Sequence, residues 1–183
     1  MEKVRVPQGN VEIKKCKLLK DGGMEVHYTV LETNGNESYC NSYVLESAKD
    51  VHPDLTGAFD ELKPIMCRVF GFTSYLSMVE SDSFEASLLQ KEQARGFAEE
   101  IKQKIKVRAI SMSGSGENEG VVLTANLEVM NGQIVAINTP RIRFATESFG
   151  FEEECEKIVT RIKDEVYKYL YEGKKAQLEL FGQ

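Results

Sequence analysis

The sequence predicts an α+β fold in which antiparallel strands carry helices on one side. Three features support this class, and both halves of the chain contain all of them. They are alternating strand patterns, an Asn-Gly hairpin signal, and apolar residues at helical spacing. With 183 residues, of which 42% are hydrophobic and 28% charged, the chain has the size and composition of one well-buried domain. We therefore expect a single α+β domain over residues 1–173.

Two segments share a strand pattern that opens with glycine and closes with Asn-Gly. The first reads GMEVHYTVLETNG over residues 23–35, and the second reads GVVLTANLEVMNG over residues 120–132. Asn-Gly between alternating residues is the strongest short hairpin signal. The candidate strands on either side of these segments are residues 11–19, 37–46, 106–113 and 133–144. The sequence therefore predicts two three-stranded meanders.

A helix is predicted after each meander, because apolar residues recur there at intervals of three and four. These residues are Leu55, Phe59, Leu62, Met66 and Phe70 in the first helix, and Phe151, Cys155, Ile158, Ile162 and Val166 in the second. Asp54 is the predicted N-cap of the first helix. The chain thus reads as two β-β-β-α halves, about 11–72 and 106–172, and we interpret them as a duplication.

The two halves are joined by residues 73–105. Polar residues 73–83 predict a loop, and residues 84–105 predict a connector helix. Its expected buried side consists of Leu89, Phe97, Ile101 and Ile105. A tail over residues 174–183 completes the predicted organisation.

Composition and cysteine spacing argue against several classes of protein. The formal net charge of −6 argues against a protein that binds duplex DNA mainly by phosphate attraction. The cysteines Cys16, Cys40, Cys67 and Cys155 form no C-x-x-C pair, so we expect reduced thiols rather than disulfides or a metal site. No apolar run has the length of a membrane span. The sequence predicts a cytoplasmic protein without metal or cofactor.

Catalytic motifs are weak in this chain. The glycine-rich segment 111–120 lacks the Lys-Ser/Thr pair of a phosphate-binding loop. Neither His27 nor His52 has a partner in sequence that would complete a catalytic constellation. We expect a protein without catalytic residues, with an enzyme of unrecognised type as an alternative.

Basic residues alternate on candidate strands and predict a nucleic-acid-binding face. Lys106 and Arg108 begin the second half and Arg141 and Arg143 close it, while the first half offers Lys15 and Lys17. Residues two apart on a strand share a face, so these cations could line one face of the sheet opposite the helices. Tyr39 and Tyr43 would then be available to stack on bases of single-stranded DNA. The alternative is that the open face of an antiparallel sheet is polar in any case.

The tail carries an apolar cluster beyond the second half. It reads Gln177-Leu178-Glu179-Leu180-Phe181 and follows Gly173. This pattern resembles the short motif by which bacterial and phage replication proteins dock on the DNA sliding clamp. The resemblance implies that Gln177, Leu178, Leu180 and Phe181 bind the clamp. The alternative is that a final helix resumes and packs Leu178 and Phe181 on the body.

A broader resemblance covers most of the chain. It rests on His52-Pro53-Asp54-Leu55, the segment SGSGENEGV over residues 113–121, Asn138-Thr139-Pro140 and the Leu-Phe ending. In these features the chain resembles uncharacterised proteins encoded in the replication regions of bacteriophages and prophages. The resemblance implies an accessory protein of DNA replication or recombination. A self-associating structural or anti-defence protein that sequesters a small ligand is the alternative.

Overall fold

The fold is built on one antiparallel sheet. The computed structural model describes residues 6–34, 37–48, 50–129, 131–146 and 148–174. Within these residues, seven strands run in the order β3-β2-β1-β4-β5-β6, with the short β7 beside β5. The strands are β1 (Val11–Leu18), β2 (Met24–Asn34), β3 (Glu37–Ser47), β4 (Ile105–Ser113), β5 (Gly120–Glu128), β6 (Ile134–Asn138) and β7 (Ile142–Arg143). The predicted α+β class is confirmed.

The two meanders meet at the centre of the sheet through the first strand of each. β1 and β4 run antiparallel, with Lys15 opposite Ser111 and Lys17 opposite Ala109. The strand order is therefore the same when read outward from this pair in either direction. Such an order suits two similar halves, whereas their origin by duplication stays a prediction.

The helix predicted after the first meander is two helices. α1 (Pro53–Asp60) and α2 (Lys63–Val69) are separate, and Pro64 lies in the first turn of α2. A proline disfavours helical backbone at the residue before it and cannot donate a helical hydrogen bond, which favours a break here. The predicted cap was wrong as well: His52 is the N-cap, and its Nδ1 accepts from the Asp54 N–H at 3.2 Å.

The connector differs from the prediction in three ways. A short helix, α3 (Ser74–Glu80), lies in the predicted loop, and α4 (Leu88–Lys104) begins later than expected. Its start is fixed by a capping box, in which Ser87 and Gln90 each satisfy a backbone N–H of the other. The buried side of α4 is formed by Ala94 and Ala98, with Leu89 and Phe97 63% and 50% exposed. Ile101 is half-buried, and Ile105 is buried where β4 begins.

The last strand of the second meander is interrupted at Pro140, which separates β6 from β7. Buried Thr139, next to this proline, is hydrogen-bonded to β5. Its N–H donates to the Leu123 carbonyl, and its hydroxyl accepts from the Leu123 N–H, both at 3.0 Å. The chain then enters α5 (Glu152–Tyr167), which continues as a π-helical turn over Lys168–Glu172.

The core lies between one face of the sheet and the helices α1, α2 and α5. Its buried side chains form one cluster with members from both halves, including Cys16 and Phe59 from the first and Ile110 and Ile162 from the second. The other face of the sheet carries no helix of the described part and is called the open face below. No described helix is both long and apolar enough to cross a membrane.

Candidate nucleic-acid interface

Two β-bulges at the centre of the sheet determine which cations reach the open face. In β1, Ile13 pairs with Tyr28 and Lys15 with His27, so Lys14 is an extra residue. In β4, Val107 pairs with Ala125 and Ala109 with Thr124, so Arg108 is an extra residue. A bulge breaks the strict alternation of a strand. As a result Ile13 and Cys16, three apart, both face the core, while Lys15 and Lys17 face away from it.

A basic groove runs over the junction of the two halves. Its volume is about 540 Å³, and four cationic side chains line it: Lys15, Lys17, Lys20 and Arg108. Its neutral polar wall is Ser111, Thr124 and Asn126. Of the residues that the structure describes, no Asp or Glu lines this groove. Positive charge therefore lines this groove on a chain whose net charge is −6, although Glu25 and Glu46, which pair with each other in the sheet, share the open face with it.

One carboxylate lies beside the groove and ties its lysines to the sheet. Glu25 Oε1 accepts from Lys15 Nζ at 2.7 Å and lies 2.8 Å from His27 Nε2, and Oε2 lies 3.9 Å from Lys17 Nζ. The hydrogen bonds from Lys15 and His27 lower the pKa of Glu25 to about 2. Glu25 therefore stays ionised, orients Lys15 and offsets part of the positive charge.

Lys106 lies at one end of the same surface. It is exposed on β4 opposite Asn126, and it lines a smaller cavity of about 250 Å³ next to the groove. Lys20 and Arg108 line both cavities, so the basic surface is continuous between them. Asp60 is the acidic residue that lines the smaller cavity.

Arg141 and Arg143 lie at the other end of β4, and they differ in their surroundings. The Arg141 guanidinium donates to the Ser113 carbonyl at 3.0 Å and to the Asn118 carbonyl, so it holds the β4–β5 connection. Arg143 is exposed and pairs with Gly120 in the sheet. By register Arg143 shares the open face with the groove, and Arg141 is engaged by backbone.

The tyrosines proposed for base stacking lie on the wrong face. Tyr43 pairs with Tyr28, and the two rings stack at 5.3 Å between centroids. Their sheet neighbours on the open face are His27 and Val44 instead. Tyr39, four residues before Tyr43 on the same strand, shares its face. The prediction that Tyr39 and Tyr43 join the basic face was therefore wrong. Because side chains alternate along a strand, a shift of one residue in the expected pattern puts all of them on the opposite face.

The remaining titratable cluster joins α1, α5 and the end of the described chain. His52, Asp54 and Glu165 bring their ligand atoms within 4.8 Å of one another. The Lys174 ammonium lies 2.6 Å from a carboxylate oxygen of both Asp54 and Glu165. Burial acts against the charge of Glu165, but hydrogen bonds from Lys168 and Lys174 keep its pKa below the ordinary value. The cluster thus already contains a cation, which fixes the point where the tail begins.

The tail residues predicted to bind a partner, Gln177, Leu178, Leu180 and Phe181, lie outside the described residues. The described chain reaches Gly173, whose φ of 73° closes the last helical turn in the left-handed conformation, and then Lys174. The ammonium of Lys174 contacts helices α1 and α5, and its backbone N–H donates to the Lys168 carbonyl, so the tail begins on the helical side of the sheet. The basic groove is on the opposite side.

Comparisons with known proteins add no family: no protein-family model, no curated protein and no solved structure matches this chain.

Proposed function

We propose that the protein is a non-catalytic accessory factor of phage-type DNA replication or recombination, which binds single-stranded DNA in the basic groove. The observation that carries the proposal is the lining of that groove by Lys15, Lys17, Lys20 and Arg108 on an acidic chain. Glu25 lies beside these cations and binds Lys15, so it offsets part of their charge. Phosphates of a nucleic-acid backbone are the anions that such a row of cations attracts. Ser111, Thr124 and Asn126 supply neutral hydrogen-bonding groups for phosphate and sugar oxygens.

The open face favours a backbone-tracking mode over base recognition. Tyr39 and Tyr43 belong to the other face, so stacking by these two rings does not contribute at the groove. Affinity would come from phosphate contacts and would be weak and salt-sensitive for a short groove. Lys106 and Arg143 extend the proposed path of the strand beyond the groove at either end of β4.

The second part of the proposal is that residues 177–181 dock on the bacterial DNA sliding clamp. Its support is the motif of Gln177, Leu178, Leu180 and Phe181 together with the position of the tail's root at Lys174. Because that root lies on the helical side, a clamp bound there would leave the basic groove on the opposite face open. Tethering raises the local concentration of DNA, so a low affinity of the groove for DNA would suffice.

The groove is tested by measuring the salt dependence of binding to a fluorescent oligothymidylate. Lys17→Ala/Arg108→Ala removes two phosphate contacts, so the slope of log K against log salt should become smaller by about 1.4. Affinity at low salt should fall roughly tenfold or more. The matched control, Lys102→Ala/Lys157→Ala, removes the same charge from helices α4 and α5 and should leave the slope unchanged. Equal effects of the two variants would show that only net charge matters, and the groove would be rejected.

The tail is tested separately by clamp binding of the full chain. Leu180→Ala/Phe181→Ala removes the apolar anchors and should weaken binding by at least about tenfold, as expected for hot-spot residues. Gln183→Ala, outside the motif, is the control and should bind like the unaltered chain. Absence of clamp binding by the unaltered chain, or equal binding by the Leu180→Ala/Phe181→Ala variant, would reject docking without affecting the groove.

A further inference from the structure

β3 forms one edge of the sheet, and it is long and exposed in the described part of the chain. It runs for 11 residues, and every residue from Glu37 to Val44 is exposed. No strand of the described part follows it on the side away from β2. Val44 is 68% exposed and Tyr39 46% exposed, so the edge also presents apolar side chains.

The register of the β2–β3 hairpin shows which backbone groups face outward. Asn34 pairs with Glu37 across a two-residue connection, and such a connection closes on a hydrogen-bonded pair. Hydrogen-bonded and non-hydrogen-bonded pairs then alternate along an antiparallel ladder. The odd-numbered residues of β3 thus bond to β2. The residues that direct their N–H and C=O groups outward are Ser38, Cys40, Ser42, Val44 and Glu46.

Three of the usual protections of an edge strand, namely proline, basic side chains and a bulge, are missing from β3, whose charged residues are Glu37 and Glu46 near its two ends. Its sequence, ESYCNSYVLES, contains no proline and no lysine or arginine. Its pairing with β2 is continuous over the whole length, without a bulge that would twist the edge away. Edges of this kind are templates for pairing with another chain, and natural proteins blunt them unless they are used.

We infer that β3 pairs antiparallel with β3 of a second copy of this chain, about a two-fold axis at Ser42. This register uses the full strand and joins only outward-facing backbone groups to one another. It places Val44 opposite the second copy's Cys40, Tyr39 opposite its Leu45, and Ser38 opposite its Glu46. A shift of one residue would instead set Glu37 against Glu46 and would present the backbone groups already used by β2. The edge is thus complementary to itself, as a two-fold interface requires.

The resulting dimer would have one continuous sheet through both copies. A two-fold axis perpendicular to the sheet keeps the helices of both copies on one face and both basic grooves on the other. The inference rests on the strand edge alone and does not depend on nucleic-acid binding.

Sedimentation equilibrium tests the interface. The unaltered chain should dimerise, and Ser42→Lys should raise the dimer dissociation constant by about tenfold or more, because it sets two like charges directly opposite each other. The matched control is Ser38→Lys, which adds the same charge opposite Glu46 of the second copy and should dimerise at least as well as the unaltered chain. A monomeric unaltered chain, or a dimer equally stable in Ser42→Lys, would overturn the inference.

Disulfide trapping tests the register. Val44→Cys places a new thiol opposite the exposed Cys40 of the second copy, and the pair spacing of an antiparallel ladder suits a disulfide. Mild oxidation should therefore yield a covalent dimer, and the yield should vanish in Val44→Cys/Cys40→Ser. A covalent dimer of the double variant would contradict this register, as would efficient oxidation of the unaltered chain through Cys40 alone.

Discussion

At the scale of single residues, the ionisation of Glu25 makes the stability of the folded chain depend on pH. Its carboxylate binds Lys15 and His27 on the open face, and its pKa of about 2 lies below the ordinary value of 4.5. A carboxyl group whose pKa is lower in the folded state stabilises that state above its unfolded pKa. The stabilisation by Glu25 is therefore complete above about pH 4.5 and is lost as the pH falls toward 2.

Glu25→Gln should remove this pH-dependent contribution. At pH 7 the variant should be less stable by about 1 kcal/mol, a value reduced from the full linkage because solvent screens a pair on an open face. The difference from the unaltered chain should shrink between pH 4.5 and pH 2. Urea unfolding at a series of pH values measures it. Glu128→Gln, at the exposed end of β5, is the control, and a similar pH dependence in both variants would contradict the assignment to Glu25.

The predicted position of Lys15 and Lys17 on the open face is confirmed, that of Tyr39 and Tyr43 was wrong, and nucleic-acid binding by the lysines stays a prediction. Strict alternation predicts that the two lysines share a face, and the bulge at Lys14 leaves this valid because both lysines follow it. The bulges themselves have a signal in the sequence, because Ile13 and Cys16 are three apart within a strand. Alternation continued from β2 into β3 places Tyr39 opposite Glu32 and Tyr43 opposite Tyr28, on the face away from the groove.

At the scale of elements, the meanders could be predicted because Asn-Gly turns and alternation are local signals. The packing of α4 could not. The spacing of large apolar residues predicts that Leu89 and Phe97 are buried, whereas the buried residues of α4 are Ala94 and Ala98. Small residues allow a helix to approach its neighbours closely, and those of α4 are α3, α2, β4 and β5, which lie both near to it and far from it in sequence. Pro64 indicates the break between α1 and α2, whereas the apolar residues at helical spacing continue across it and predict one helix.

Substitutions on the two sides of α4 should therefore have opposite effects. Ala94→Leu forces three additional carbon atoms into a closed contact and should destabilise the fold by about 1–3 kcal/mol. Phe97→Ala removes a half-exposed ring and should change stability by about 0.5 kcal/mol or less. Urea midpoints at neutral pH measure both. A larger loss for Phe97→Ala than for Ala94→Leu would mean that α4 is rotated relative to this description.

At the scale of the whole molecule, the two halves share one core. β1 pairs with β4, α1 packs against α5, and the buried cluster includes residues of both halves. The apolar faces of both meanders belong to this one cluster. We therefore expect the halves to unfold together rather than as two units. The sequence pattern suggested the halves, but the shared core follows from the β1–β4 pairing, for which no local signal exists.

Two buried thiols provide a probe in each half. Cys16 lies in β1 and Cys155 in α5, both without exposed surface, and burial raises the pKa of each to about 12. Reaction with a disulfide reagent therefore requires that the surrounding structure opens. Variants that keep only Cys16 or only Cys155 report the opening of each half separately.

Ile162→Ala in α5 should accelerate the labelling of both thiols by the same factor. Ile162 is fully buried, and its truncation should cost about 3 kcal/mol, which corresponds to roughly a hundredfold increase in the open population. If the core is shared, the labelling rate of Cys16 in the first half must rise as much as that of Cys155, although Cys16 belongs to a different element. Phe97→Ala in the same single-thiol backgrounds is the control and should change neither rate appreciably. Acceleration confined to Cys155 would show that the second half opens alone, and the description of one cooperative core would have to be abandoned.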